Sequence, residues 1–358
     1  MATPVPSKTP ASVPTPAPRP AAAAPPQPKQ ASRLGLVKKE RLRLALRYLF
    51  YGPEGVGKTS LAADADSLFF DIEGGSGEVV ASRYPFNPGA KDEFKPRDYD
   101  QLVAAVDDMI ANPGHGFASC AIDTTSALEA LIHRHLCTQN KVTGIEKIGG
   151  GFGKGYRASV EELRRFLSKL DLLRATGVQI ILLGHSAVAT FKNPEGEDYD
   201  RYSLQAHRDF AGQLKEWCDV VGFIHFEGGS KKIEDDGARE RRARGWTTNR
   251  RLVQLARSAA WDAKTRLSMP DEIVLDDAHP WNPFSLAAVD ARSADVRSLT
   301  DAVLVELDRI GAHEFTTAAG KVTTRQFVLD QVAKSDATTL SRIVAGLQAT
   351  PSHTAQES

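Results

Sequence analysis

Apolar residues in this chain follow two alternating patterns: short, nearly unbroken runs, and longer stretches with apolar residues three or four positions apart. The runs are Leu44–Phe50, Leu68–Glu73, Ala118–Asp123, Val178–Gly184 and Val220–Phe226. Each reads as a strand, and Val178–Gly184 has the continuous apolar character of one buried on both faces of a parallel sheet. Helical spacing fills the intervals at Tyr99–Ile110, from Thr124 through Leu136, from Ser159 to Thr176, and at His207–Trp217. Ser159-Val-Glu-Glu162 has the form of a capping box, and Val160, Leu163, Phe166, Leu167, Leu170 and Leu173 share one helix face. Strands alternating with helices predict an α/β fold, with a mostly parallel central sheet flanked by helices.

Composition divides the chain further. Residues 1–33 are rich in Pro and Ala, cannot bury enough apolar surface to offset chain entropy, and are expected to form a disordered tail. Residues 34–283 hold the α/β core, led in by Lys38, Lys39, Arg41 and Arg43. Residues 284–350 change to short helices (Leu299–Ile310, Thr324–Ala333, Thr338–Leu347), a small helical C-terminal region, and 351–358 form a flexible tail. The 45 basic residues balance 45 acidic ones, so bulk charge makes no case for nucleic acid. Cys120, Cys137 and Cys218 are odd in number and widely spaced, which fits a reducing cytoplasm rather than a disulfide framework or zinc site. No run has the length of a membrane span, and the N-terminal stretch lacks the apolar core of a signal peptide.

Between the first strand and a helical stretch lies Gly52-Pro53-Glu54-Gly55-Val56-Gly57-Lys58-Thr59, followed by Ser60. It fits G-x-x-x-x-G-K-[ST] completely. The glycines let backbone N–H groups approach phosphate oxygens, and the helix start adds a positive dipole end. Lys58 would reach the β- and γ-phosphates of ATP, and the Thr59 hydroxyl would ligate Mg2+. The run ending at Asp123 has the Walker B form, so Asp123 is the second candidate Mg2+ ligand. Asp71 and Glu73 close another run and share a side if that strand continues. Glu73 is the candidate base that activates water; two solvated carboxylates are the plainer alternative. His185, just past a strand end, is either a γ-phosphate sensor or a locally satisfied histidine.

Three further stretches carry candidate chemistry. Gly149–Tyr156 is a glycine-rich loop whose Phe152, Lys154 and Tyr156 suit stacking on bases and touching phosphates, or form only a hinge. Lys231–Arg251 is strongly charged and reads equally as a phosphate-backbone contact or a solvated hairpin. In Trp261–Pro270, Lys264 and Arg266 alternate, so one strand face would carry both.

The order of these parts resembles the RecA-like P-loop NTPase core over roughly residues 42–275. Phe70-Asp-Ile-Glu73 is similar to the catalytic-glutamate strand of RecA recombinases, and Ala121–Leu128 to their Walker B stretch. His185 stands where they place a glutamine. Residues 186–203, with Phe191 and Lys192, fall where they keep one DNA-binding loop, and 149–156 near their other. Lys264-Thr-Arg266 resembles the element that reaches a neighbouring subunit's γ-phosphate. Tyr51–Thr59, Gly153–Tyr156, Leu183–His185, Pro194–Tyr202 and Ala263–Arg266 look like phage-encoded P-loop ATPases, including single-strand annealing proteins of the Sak type.

The resemblance implies an ATP- and Mg2+-dependent, DNA-stimulated ATPase that binds single-stranded DNA and assists phage or prophage recombination. It also implies a homo-oligomer with an inter-subunit ATP site, in the bacterial host's cytoplasm, with other recombination or replication proteins as partners and no membrane. The alternatives are a ring-forming helicase or loader motor, and an ATP-binding assembly switch without DNA-coupled turnover.

Overall fold

In the computed structural model, the described residues are 44–232, 243–317, 320–332, 335 and 337–351. The Pro/Ala-rich stretch and basic lead-in therefore lie outside the described residues, as do Arg239, Arg241 and Arg242 of the charged stretch. The first strand, β1 (Arg47–Gly52), shows why a sheet forms. Its Tyr48 and Phe50 point into one apolar layer and its Leu49 and Tyr51 into another, all four with no exposed surface. A strand apolar on both sides is stable only between two layers of helices.

The chain supplies those layers in order: α1 (Lys58–Ala63), β2 (Ser67–Asp71), β3 (Ser82–Arg83), α2 (Tyr99–Ala111), β4 (Ser119–Asp123), α3 (Thr125–Asn140) and α4 (Lys154–Ala175). Then come β5 (Gln179–Phe191), β6 (Tyr199–Leu204), α5 (Arg208–Trp217), β7 (Val220–Lys232), β8 (Ala243–Gln254), β9 (Lys264–Thr265) and β10 (Glu272–Val274). The central sheet runs β10-β8-β7-β1-β5-β4-β2-β3. From β7 to β3 every neighbouring pair is parallel, while β8 and β10 add antiparallel edges and β9 pairs antiparallel with β7. Helices α2 to α5 cover one face, and α1 with Trp281 and Phe284 covers the other. This is the α/β architecture that the apolar pattern predicts.

Beyond the sheet, α6 (Leu286–Ile310), β11 (Glu314–Thr316), α7 (Arg325–Val332) and α8 (Ala337–Gln348) share a separate apolar cluster that includes Val303, Leu307, Phe315 and Leu347, and β12 (Val322–Thr324) pairs with β11. Phe284, at the expected start of this region, belongs instead to the sheet's core, and its carbonyl accepts from the Tyr48 hydroxyl at 2.8 Å. Among the described residues no helix is long and apolar enough to cross a membrane.

Local details differ from the sequence expectation for physical reasons. Strand β2 stops at Asp71, because that carboxylate accepts from Gly74 N (2.6 Å), Ser76 N (3.2 Å) and Ser76 Oγ (2.6 Å) and turns the chain. Helix α4 begins at Lys154, ahead of the capping box. Gly155 lets its first turn press on the Ile145 carbonyl, which a Cβ would meet at 1.9 Å. Ser159 is buried inside the helix, its hydroxyl 3.1 Å from His133 Nε2. Strand β5 does not end at Gly184; it continues to Phe191 and pairs with β6, so the expected polar loop is a β-hairpin.

Candidate nucleotide-binding and hydrolysis site

The ends of β1, β2 and β4 converge with the middle of β5 at one edge of the sheet. The register sets Gly52 beside His185 and Asp71 beside Asp123. The carboxyl ends of parallel strands are where open α/β sheets bind ligands.

The P-loop itself runs from the end of β1 to the start of α1. Pro53, Glu54 and Gly55 form its exposed tip, Val56 anchors it in the core, and Ser60 faces outward from α1. Gly57 has φ +90°, in the left-handed region that glycine enters freely. Gly52 meets a different limit: a Cβ there would lie 2.1 Å from the Ile224 carbonyl oxygen. Lys58 folds back onto the loop, its Nζ donating to the carbonyls of Gly52 (3.0 Å) and Pro53 (2.7 Å). Burial pulls its ammonium below the ordinary lysine value, against the opposing pull of Asp123, Glu54 and Glu73.

Thr59 Oγ1 donates to Asp123 Oδ2 at 2.9 Å. Burial pushes the Asp123 carboxyl up to about 6; the Thr59 bond and Lys58 oppose this, and the charges of Asp71 and Glu73 add to it. Among the described residues no three His, Cys, Asp or Glu converge as a metal cage. A hydroxyl and one carboxylate are a sparse, hard oxygen set. That set fits Mg2+, which takes one or two protein ligands and completes its shell with water and substrate phosphates.

Glu73 stands beyond the end of β2, with its side chain 45% exposed. Thr124 Oγ1 donates to its Oε2 at 2.9 Å, and His185 Nε2 lies 3.3 and 3.2 Å from its two oxygens. The carboxylate is thus positioned from both sides. Asp71 is spent on its turn, whereas Glu73 faces the half-exposed edge.

The other candidates lie elsewhere. Lys154 and Tyr156 are in the first turn of α4, not in a loop; Lys154 Nζ bonds the Gly149 carbonyl at 2.9 Å, and Tyr156 stacks on His207 with ring centroids 4.4 Å apart. Phe152, 95% exposed, is the aromatic the glycine loop offers to solvent. Phe191 and Lys192 close the hairpin: Arg201 lies over the Phe191 ring at 5.1 Å, and Lys192 pairs with Asp198. Both line an open cavity of about 860 Å³, along with Arg208, Lys215 and Arg257. Lys264 and Arg266 sit at the opposite edge of the sheet from the P-loop, where each bonds the Glu216 carbonyl, at 3.1 and 2.9 Å.

Two residues of the nucleotide edge carry weak sequence signals. Thr124 reads from sequence only as a helix opener, although it also holds Glu73. Arg251, one cation in a charged stretch, reaches the P-loop beside Gly57, and no local pattern marks that approach.

No curated protein compared with the chain matches it. A family model described as an AAA domain matches residues 44–267, from the strand before the P-loop to just past Arg266. The match takes in β1, the P-loop, Glu73, Asp123 and His185 and spans more than half of the 358 residues, so the chain belongs to the AAA-domain family of P-loop ATPases.

Proposed function

We propose that this protein couples ATP hydrolysis to the binding of single-stranded DNA, in annealing or strand exchange during phage or prophage recombination. The observation that carries the reading is the contact between Glu73 and His185, at 3.2 Å. His185 belongs to β5, the same strand that leaves the central sheet and becomes the β5–β6 hairpin. A carboxylate poised for the attacking water therefore touches the root of the hairpin that carries Phe191 and Lys192.

In the proposed turnover, Lys58 leaves the carbonyls of Gly52 and Pro53 for the β- and γ-phosphates. Thr59 and Asp123 would hold Mg2+, which when bound would neutralise charge on the phosphates. Glu73 accepts the proton of the attacking water, and Thr124 keeps its second oxygen turned away from that role. Loss of the γ-phosphate changes what Glu73 bonds, and His185 passes the change to the hairpin. The cavity beneath the hairpin, with cations at its rim and Phe191 beside them, suits a phosphate backbone with stacked bases. Phe152 would supply a second stacking surface. Lys264 and Arg266 would serve a neighbouring subunit's site, which makes assembly and turnover interdependent.

The test is ATP hydrolysis by the purified protein without DNA, with single strands and with duplex, against Lys58→Ala as background. Stimulation by single strands, lost in the variant, is expected. Equal turnover in all three conditions would sink the coupling and leave an ATPase that acts without DNA.

A further inference from the structure

One cation at the nucleotide edge takes no part in the chemistry above. Arg251 is on β8 and sends its guanidinium across to the P-loop, where Nη1 lies 2.4 Å from the place a Cβ on Gly57 would occupy. Its Nη2 donates to the Asp277 carboxylate at 2.8 Å and to the Asp276 carbonyl at 3.3 Å. The partners of this ion pair differ: the Arg251 side chain is 12% exposed and that of Asp277 90%. Asp277 rides on a turn in which Asp276 Oδ1 accepts from the N–H groups of Ala278 and His279, both at 2.8 Å. The same turn is tied to the residue that caps the end of α1: Asp64 takes the Trp281 N–H at 2.8 Å and lies 3.5 Å from His279. The guanidinium, backed by this turn, forms a wall at Gly57 of the P-loop.

We propose that Arg251 binds the diphosphate moiety of the nucleotide from this wall, in exchange for Asp277; the inference rests on the P-loop reading above. Gly57 directly precedes Lys58, so the guanidinium lies against the part of the loop whose N–H groups face phosphate. The missing Cβ makes room for it, and any side chain at 57 would displace it. A planar guanidinium suits bidentate contact with phosphate oxygens. Its present anion is weakly held, because Asp277 is almost wholly in water. A nucleotide diphosphate brings more charge and better acceptors, while Asp277 acts as an internal competitor that re-engages when the nucleotide leaves.

Equilibrium binding of fluorescent ADP and ATP analogues to the full chain tests this, with thermal melting as a check of folding. Arg251→Ala is expected to weaken both nucleotides by about 10- to 100-fold, the loss of a charge-assisted hydrogen bond, and Arg251→Lys to recover part of it. Asp277→Asn is expected to tighten both by about two- to fivefold, the worth of the exposed pair it breaks. An Arg251→Ala protein that melts and binds like wild type overturns the inference. A loss confined to ATP overturns the assignment to the diphosphate. If Arg251→Ala does not fold, Asp277→Asn decides alone, and unchanged or weakened binding there overturns the exchange. Wild-type protein that binds neither nucleotide, or binding indifferent to Lys58→Ala, would instead overturn the P-loop reading.

Discussion

The two ends of β1 each gather buried charge, with opposite results. At its start, Arg47 donates to Asp219 through Nε (3.1 Å), Nη2 (2.9 Å) and its own backbone N–H (3.1 Å). Arg174 and Arg266 approach the same carboxylate at 3.5 and 3.3 Å. Burial alone would raise Asp219, but the hydrogen bonds and charge of Arg47 outweigh it and hold the carboxyl below the usual range. Near the other end, Asp123 of β4 has the Thr59 hydroxyl and the Lys58 ammonium against its burial and two acidic neighbours, and is pushed up to about 6. One cluster is satisfied within the chain and so is structural. The other lacks positive charge, which a bound Mg2+ would supply.

Removing the central acid at each end is the largest test of that contrast. Asp219→Ala leaves Arg47 with Asp171 and Arg174 with the Ala45 carbonyl in place of a shared carboxylate, and about 3 kcal/mol of stability is expected to go, read by urea denaturation. Asp123→Ala loses one hydrogen bond and relieves a crowded carboxylate, so the same measurement should move by about 1 kcal/mol or less. Equal losses would show that the two ends do not differ in kind. Next in size, Glu73→Gln keeps the shape and the Thr124 contact but removes the base. Turnover should fall about 100-fold or more, equivalent to about 2.7 kcal/mol, with nucleotide affinity retained. Turnover at the wild-type rate would return Glu73 to the status of a solvated carboxylate.

Acid titration gives a smaller effect with a definite sign. The folded state holds Asp219 below the ordinary value of 3.8, so folding favours its ionised form. The resulting stability is fully present above 3.8 and is lost as pH falls through the lower, folded-state value. The gap in stability between wild type and Asp219→Asn should therefore be widest at neutral pH and narrow in acid. A gap that is constant across the acid range would mean that Asp219 stabilises by packing alone.

What the sequence made legible was whatever is local. The P-loop spacing, the acid at the end of β4 and the apolar faces of the helices each lie within one short window, and the α/β layering follows from their order. What it hid depends on partners far along the chain. Ser159-Val-Glu-Glu162 has a capping box's form, yet the fit of Gly155 on the Ile145 carbonyl starts the helix earlier. The extension of β5 depends on pairing with β6, which its polar residues conceal. Asp71 and Glu73 look equivalent in sequence, and only the turn to Ser76 separates them. Arg251 and Gly57 meet across most of the domain, where no periodicity could reveal them.

Arg266 gives an equally small expected change in stability, at the satisfied end of β1. Its side chain is 51% exposed, and Asp219 keeps Arg47 and Arg174 without it. Arg266→Ala should therefore cost about 1 kcal/mol or less. The proposed role in trans adds a second readout. A cation that steadies a neighbour's transferring phosphoryl group is worth about 10³-fold or more in turnover. A stable Arg266→Ala protein that loses turnover on this scale would mean that the satisfied edge of one subunit completes the unsatisfied edge of the next. The two ends of β1 would then be halves of one intermolecular site. Turnover unchanged in a stable variant would confine Arg266 to the Asp219 cluster and leave the nucleotide edge to residues of its own chain, among them Arg251 beside Gly57.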